Sequence, residues 1–301
     1  PSQRFLDYRD LLSKVELEAV VIATPHHLHA RQAIAAAEAG VAVICEKPLA
    51  TNLEEASAVL EAVRRHRVPL TVVHNFLFAP GVRRALRLLR DGAIGQPLWG
   101  RALALFRKPR EEMDPTLHWR ASREAGGGCL NDTAYHEIYL VEALVGSPVG
   151  RVEARVQPAF FGGEVDDLAL LLLEHENGAL STVASSWGVA GNGAGQVHNL
   201  VEVHAAEGAL CVLRRGQELF CYRFPQRRWE AVPLPEVGEW LSTERQRLGH
   251  IYYFQEVFHR LAQGKGDLPV GGEEAWHNLA IIEAARRAHR ERRAVEVPRR
   301  P

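Results

Sequence analysis

Over the first 75 residues, short runs that are apolar throughout alternate with longer stretches whose apolar positions recur at helical spacing. Phe5, Tyr8, Leu11 and Leu12 fall on one face of a helix predicted over 5–14. Residues 19–23 predict a buried strand closed by Thr24-Pro25, and an alanine-rich helix follows over 26–39. Gly40, the residue type favoured just past a helix end, stops that helix. Residues 41–45 predict a second strand. Thr51 and Glu54 read as a capping box for a helix running to about 66, with Ala56, Val59, Leu60 and Val63 on its buried face. Residues 70–74 predict a third strand. Strands apolar on both faces and separated by helices predict a parallel sheet covered on both sides. Right-handed crossovers then bring all three carboxyl ends to one edge.

Beyond Gly92 the pattern changes to strand-like segments over 98–106, 151–160, 167–174, 180–187, 197–205 and 209–213. Asn177-Gly178 is a hairpin signal. Strands in succession predict a large, mostly antiparallel open sheet in an α+β unit, with helices over 243–263 and 272–290. The expected division is 1–78 and 79–301, with the helix over 272–290 packing back on the first unit. Residues 168–173 are apolar at every position, so both faces of that strand are apolar. One covered face needs only half of them, which predicts a homo-dimer, or a tetramer built from it, through the open sheet.

Composition changes this picture little. The 301 residues are 47% hydrophobic and 24% charged, which is ordinary for a globular protein. A formal net charge of -1 gives no electrostatic case for nucleic acid or an anionic membrane. No apolar run is long enough to span a bilayer. Cys45, Cys129, Cys211 and Cys221 are scattered without a C-x-x-C pair, so buried free thiols in a reducing cytoplasm are expected. The sole methionine is Met113 and the chain starts at Pro1, which reads as initiator removal or a fragment.

The shared strand edge is where ligands bind in open α/β sheets. Thr24-Pro25-His26, Glu46-Lys47-Pro48 and His74-Asn75 all fall there. Lys47 is one of only four lysines among 36 basic residues. Lysine, unlike arginine, is readily tuned to exchange a proton. Fixed between a carboxylate and a proline, Lys47 is a candidate acid/base; the alternative is a solvated lysine in an ordinary turn. Gly126-Gly127-Gly128 leads into a helix ending at Gly146, and Asp132 and His136 share a face of its start. A carboxylate and an imidazole so placed can bind a hydroxyl and move its proton. The alternatives are a helix cap for Asp132 and a packed or surface histidine for His136. Trp119-Arg120 reads either as a hydroxyl or anion clamp, or as a core tryptophan beside a surface arginine. His26, His27 and His29 lack the spacing of a helical zinc site, so no metal is expected. The glycine cluster over 191–195 reads as a loop between strands.

Together these elements resemble the Gfo/Idh/MocA family, the glucose–fructose oxidoreductase and inositol dehydrogenase type of nicotinamide-dependent enzyme. The matching stretches are residues 20–25, His29, Ala39-Gly40, Glu46-Lys47-Pro48-Leu49, Ile94-Gly95, Trp119-Arg120, G-G-G-x-L-x-D-x-x-x-H from Gly126 to His136, and Glu207-Gly208. The resemblance implies a Rossmann domain, here partial, followed by an open-sheet substrate domain. It implies NAD or NADP as cofactor and hydride transfer to or from a sugar, cyclitol or related polyol. Lys47, Asp132 and His136 would be the catalytic set, with Trp119 and Arg120 joining them in binding substrate. Thr24, Pro25, His26, His29, Glu46, Lys47 and Asn75 would border the cofactor. It also implies a cis Lys47–Pro48 peptide. Tyr139 stands where the family commonly has Asp or another residue, which implies a substrate other than simple polyols. The family's opening strand, G-x-G-x-x-G turn and helix are not in this sequence, and the expectation is a fragment of a longer chain. The alternative is a non-catalytic ligand-binding or regulatory relative that has lost cofactor binding.

Overall fold

The computed structural model describes residues 3–189, 199–235 and 248–299. The glycine cluster over 191–195, the start of the strand expected over 197–205 and the start of the helix expected over 243–263 lie outside them.

Helix α1 (Tyr8–Lys14) is capped by Asp7, whose side chain accepts from the Arg9 amide. Strand β1 (Ala19–Ile22), helix α2 (His29–Glu38), strand β2 (Ala42–Cys45), helix α3 (Leu53–His66) and strand β3 (Leu70–Val72) follow. The three strands pair in parallel in the order β1-β2-β3, with Ile22 opposite Cys45 and Cys45 opposite Val72. Their carboxyl ends are therefore level, and the turns after them open on one edge. Two details differ from the sequence reading. A 3-10 turn over His26–Leu28 precedes α2, so His26 sits before the α-helix. The cap of α3 is Asn52, one residue beyond Thr51: Asn52 accepts from the Glu55 amide at 2.9 Å. Glu55, not Glu54, reaches back to the Thr51 amide and hydroxyl. Asn caps at least as well as Thr, and the Glu55 carboxylate reaches back past the Asn52 cap to the residue before it.

Helix α4 (Pro80–Arg90) leads to strand β4 (Pro97–Leu105). A π-helical turn (Leu130–Ala134) runs into helix α5 (Tyr135–Val145), followed by strands β5 (Val149–Gln157), β6 (Leu168–His175) and β7 (Leu180–Ser186). After them come β8 (Asn199–Ala205), β9 (Gly208–Leu213), β10 (Glu218–Arg223) and β11 (Arg228–Ala231). Helices α6 (Leu248–Ala262) and α7 (Gly272–Glu291) and strand β12 (Val295–Glu296) complete the described elements. The nine strands of the second sheet lie in the order β11-β10-β9-β8-β4-β7-β6-β5-β12. All pairs are antiparallel except β4 with β7. Strands β10, β11 and β12 are absent from the sequence reading: β11 and β12 are short edge strands, and β10, paired on both sides, is a four-residue apolar run between Glu218 and Arg223.

Helix α5 packs on β4, where a Cβ at Gly100 would stand 2.7 Å from Val141. Helix α7 lies on β5 and also reaches α3: the Trp276 indole donates to Ser57 Oγ at 2.9 Å, and the Leu53 amide to Glu283 at 3.1 Å. Among the described residues, β6 is covered on one face only. Ala169, Leu171 and Leu173 are buried, whereas Leu170 and Leu172 are 44% and 39% exposed. The cysteines are free thiols; Cys45, Cys129 and Cys221 are buried and Cys211 is half-buried at the sheet. Among the described residues no helix is long and apolar enough to cross a membrane.

Candidate active site

A cavity of about 540 Å³ opens where the carboxyl edge of the three-stranded sheet faces the start of α5. The Lys47–Pro48 peptide after β2 is cis. The Lys47 ammonium donates to the backbone oxygen of Asp132 at 2.6 Å and to its Oδ1 at 2.9 Å. Arg120 donates from Nε to the other carboxylate oxygen at 3.2 Å. Each oxygen of one carboxylate thus carries its own cation. Burial works to raise the Asp132 pKa, but Lys47 and then Arg120 outweigh it and hold the carboxyl well below the usual range.

The glycine triplet explains how Arg120 reaches Asp132. The amides of Gly127 and Gly128 donate to the oxygens of Ser122 and Arg120 at 2.9 and 3.0 Å. A Cβ at Gly127 would stand only 2.1 Å from the Arg120 oxygen. Only a residue without a side chain lets these two backbones close so tightly. The triplet therefore folds the Trp119-Arg120 turn against the start of α5. Trp119 meets the His26 ring edge-on at 4.4 Å, so it is a wall of the cavity and not a core residue remote from it.

His26 is buried, with Nδ1 3.0 Å from the Gly126 oxygen and Nε2 3.9 Å from Asp132 Oδ1. Burial, then Lys47, pulls its pKa down to about 3, so the ring is neutral at ordinary pH. His29 sits 2.7 Å from the Pro48 oxygen and 2.8 Å from the Thr24 oxygen, tying the turns after β1 and β2 together. Burial lowers its pKa although both carbonyls work upward. The Thr24 hydroxyl donates to Gln32 at 2.7 Å, and Pro25 lines the cavity beside it.

Glu46 accepts weakly from the Lys47 amide at 3.3 Å and lies 3.8 Å from His250; burial raises its pKa. Asn75, after β3, is buried with its amide nitrogen 3.3 Å from His250. His136 projects from α5 into the cavity, its Nδ1 2.9 Å from the Tyr139 hydroxyl. Burial first, and Lys47 next, keep it well below the usual histidine range and therefore neutral. Tyr139 is itself fixed, stacked on the buried His74 ring at 4.2 Å and accepting from the Phe76 amide at 3.3 Å.

Every residue singled out from the sequence as a site candidate lines this one cavity: Thr24, Pro25, His26, His29, Glu46, Lys47, Asn75, Trp119, Arg120, Asp132 and His136. Phe76, Phe106, Thr133, Glu137, Arg215 and His250 also line it and were not singled out. Glu137 directly follows His136 and could have been found from that motif; the others carry no local signal. Among the described residues no group of three or more His, Cys, Asp or Glu side chains is placed to hold a metal ion.

Two family models match this chain. One, described as an oxidoreductase family with an NAD-binding Rossmann fold, matches residues 2–74; the other, a GFO/IDH/MocA C-terminal domain, matches residues 82–211. The chain is 32% identical over 298 residues to D-apiose dehydrogenase of Paraburkholderia graminis, covering 96% of this chain and 76% of that enzyme. It is 33% identical over 229 residues to levoglucosan dehydrogenase of Pseudarthrobacter phenanthrenivorans, covering 68% of this chain and 57% of the relative. A solved levoglucosan dehydrogenase in complex with NADH and levoglucosan superposes with a TM-score of 0.84 at 28% identity. That match covers 98% of this chain and 84% of the other. The cavity built around Lys47, Asp132 and His136 and these similarities agree: the chain belongs to the Gfo/Idh/MocA family of oxidoreductases.

Proposed function

We propose that the protein is an NAD(P)-dependent oxidoreductase that moves a hydride between nicotinamide and a hydroxyl-bearing carbon of a sugar, cyclitol or related polyol. The observation that carries this reading is the Lys47–Asp132–Arg120 cluster facing neutral His136 across one polar cavity. The relatives whose names speak of apiose and levoglucosan dehydrogenases support the substrate class.

The residues present suit the nicotinamide end of the cofactor. Thr24, Pro25, His26, His29, Glu46, Lys47 and Asn75 border the strand edge where such ligands lie. The cavity volume is in the range of small-molecule sites. The chain has no G-x-G-x-x-G, so these residues account for that end alone. When bound, nicotinamide supplies the acceptor or donor of the hydride.

Lys47 is the proton carrier in this reading. An ammonium has three N–H bonds, and two of them are held by Asp132. The third is left to reach the substrate oxygen. In the reducing direction Lys47 gives a proton to a carbonyl oxygen; in the oxidising direction its amine takes the hydroxyl proton. Asp132 stays ionised and keeps Lys47 aimed, while neutral His136, set by Tyr139, bonds the same oxygen. Trp119 and Arg120 close the substrate side. Titration with NADH or NADPH, followed by thermal shift and nicotinamide fluorescence, tests the cofactor part. Turnover of NAD(P)⁺ with a sugar panel tests the rest. A chain that binds nicotinamide but oxidises or reduces no polyol contradicts the reading.

The same reading divides the chain at about residue 78 and pairs two copies, or two pairs, through the open sheet face around Leu170 and Leu172. It places the protein in the cytoplasm, in keeping with four free thiols. A monomer by light scattering would contradict the pairing.

A further inference from the structure

The cavity has a second polar corner that the proton chemistry leaves unused. Glu137 follows His136 on α5, is only 5% exposed and lines the cavity. Its side chain accepts from Ser185 Oγ at a long 3.4 Å. A carboxylate offers about four acceptor positions, and Ser185 with the residue's own backbone amide leaves part of that capacity open. Burial pushes Glu137 up to about 7, against the downward pull of the Arg215 charge.

Arg215 lines the same cavity from the turn between β9 and β10. Arg214, Arg215 and Gly216 all have positive φ, at 50°, 57° and 91°. Left-handed backbone is costly for arginine, and here packing holds it. A Cβ at Gly216 would stand 2.4 Å from the Ala79 side chain, and one at Gly81 would stand 2.7 Å from the Gly216 oxygen. The turn is thus wedged against the start of α4, and the Arg215 guanidinium lies 5.1 Å from the centre of the Phe76 ring. Lys47 and Arg120 both spend their charge on Asp132. Among the described residues no carboxylate makes an ion pair with Arg215.

We propose that Glu137 and Arg215 form a second hydroxyl-binding point, which grips the substrate away from its reacting carbon and decides which polyol binds. They are specificity-determining residues, and the inference rests on the sugar reading above. A hydroxyl donates to a carboxylate and accepts from a guanidinium at once. A deoxy carbon does neither, and a carboxylate satisfies Arg215 while facing Glu137. A site built to bond a hydroxyl rejects the analogue that lacks it.

The test needs no nicotinamide. Pentoses, hexoses and anhydro-sugars are screened against the chain by thermal shift, and the tightest binder and its monodeoxy forms are compared by calorimetry. The native protein should bind one deoxy form, altered away from the reacting carbon, about tenfold or more weakly. Arg215→Gly, which suits the left-handed backbone, should weaken the parent sugar by a similar factor and erase the penalty for that deoxy form alone. Glu137→Gln, which keeps the shape, should show the same pattern at a smaller factor. Equal weakening of every sugar, or no weakening, would overturn the inference while leaving the sugar reading intact. So would tighter binding of the matching uronic acid that vanishes in Arg215→Gly. If no sugar binds the native chain, the sugar reading itself fails and this inference falls with it.

Discussion

The Lys47 ammonium lies 2.9 Å from Asp132 Oδ1, although 85 positions separate the two residues in the chain. The contact ties the end of β2 to the first turn leading into α5 and fixes the distance between the two halves of the cavity. Arg120 holds the second carboxylate oxygen, so Asp132 balances two cations in a partly desolvated place. Removing that carboxylate charge leaves both cations facing each other.

Asp132→Asn should therefore destabilise the fold as well as stop turnover. Breaking one partner out of a buried ion pair costs about 3 kcal/mol. Urea unfolding should show a lower midpoint with an unchanged slope. An unchanged midpoint would mean that solvent, not Asp132, balances Lys47.

Tyr139→Phe removes the hydroxyl that fixes His136 Nδ1 and accepts from the Phe76 amide. The expected loss is about 1–2 kcal/mol of stability, because a buried donor is left unpaired. Since the His136 ring then loses its orientation, kcat should fall more than KM rises. Steady-state kinetics on the tightest-binding sugar separates the two.

His74 is buried, and burial, then Lys47, takes its pKa from 6.5 down to about 3. A base whose folded pKa lies below its unfolded one favours the folded state when neutral. Its contribution is complete above pH 6.5 and is lost as pH falls toward 3. The melting temperature should drop steeply on acidification through this window. His74→Gln should drop less steeply over the same range, whatever its starting stability. Parallel curves for the two proteins would remove His74 from the acid response.

Gly127→Ala places a methyl 2.1 Å from the Arg120 oxygen, a distance no real contact allows. The turn must open, at about 3 kcal/mol or more. Arg120 then leaves Asp132. Thermal melts should show the loss of stability, and sugar affinity should fall with it.

The local parts of this site were legible because each is written within a few residues. A continuous apolar strand followed by Glu46-Lys47-Pro48, or a glycine triplet before Asp132 and His136, announces itself. Parallel pairing brings the strand-end turns together by rule, so the edge and its residues could be foreseen. Arg215 and His250 could not, since one comes from the turn between β9 and β10 and the other from α6. Arg215 directly follows the strand expected over 209–213 with no motif of its own, and His250 lies inside the helix expected over 243–263. The Asn52 cap shows the same limit at small scale: Thr51 and Asn52 both cap well, and only packing chooses the register. The π-helical start of α5 has no sequence mark at all. Strand β12, two residues long, exists only because β5 offers an edge.

Lys47→Ala tests whether Lys47 carries the proton. It keeps the β2 backbone and the bordering residues Thr24 to His26, and it deletes the proposed proton carrier together with its contact to Asp132. Binding of NADH should remain within a few-fold of the native protein, while kcat on a polyol substrate should fall about a hundredfold to ten-thousandfold. Undiminished turnover in a protein that still binds NADH would contradict the account.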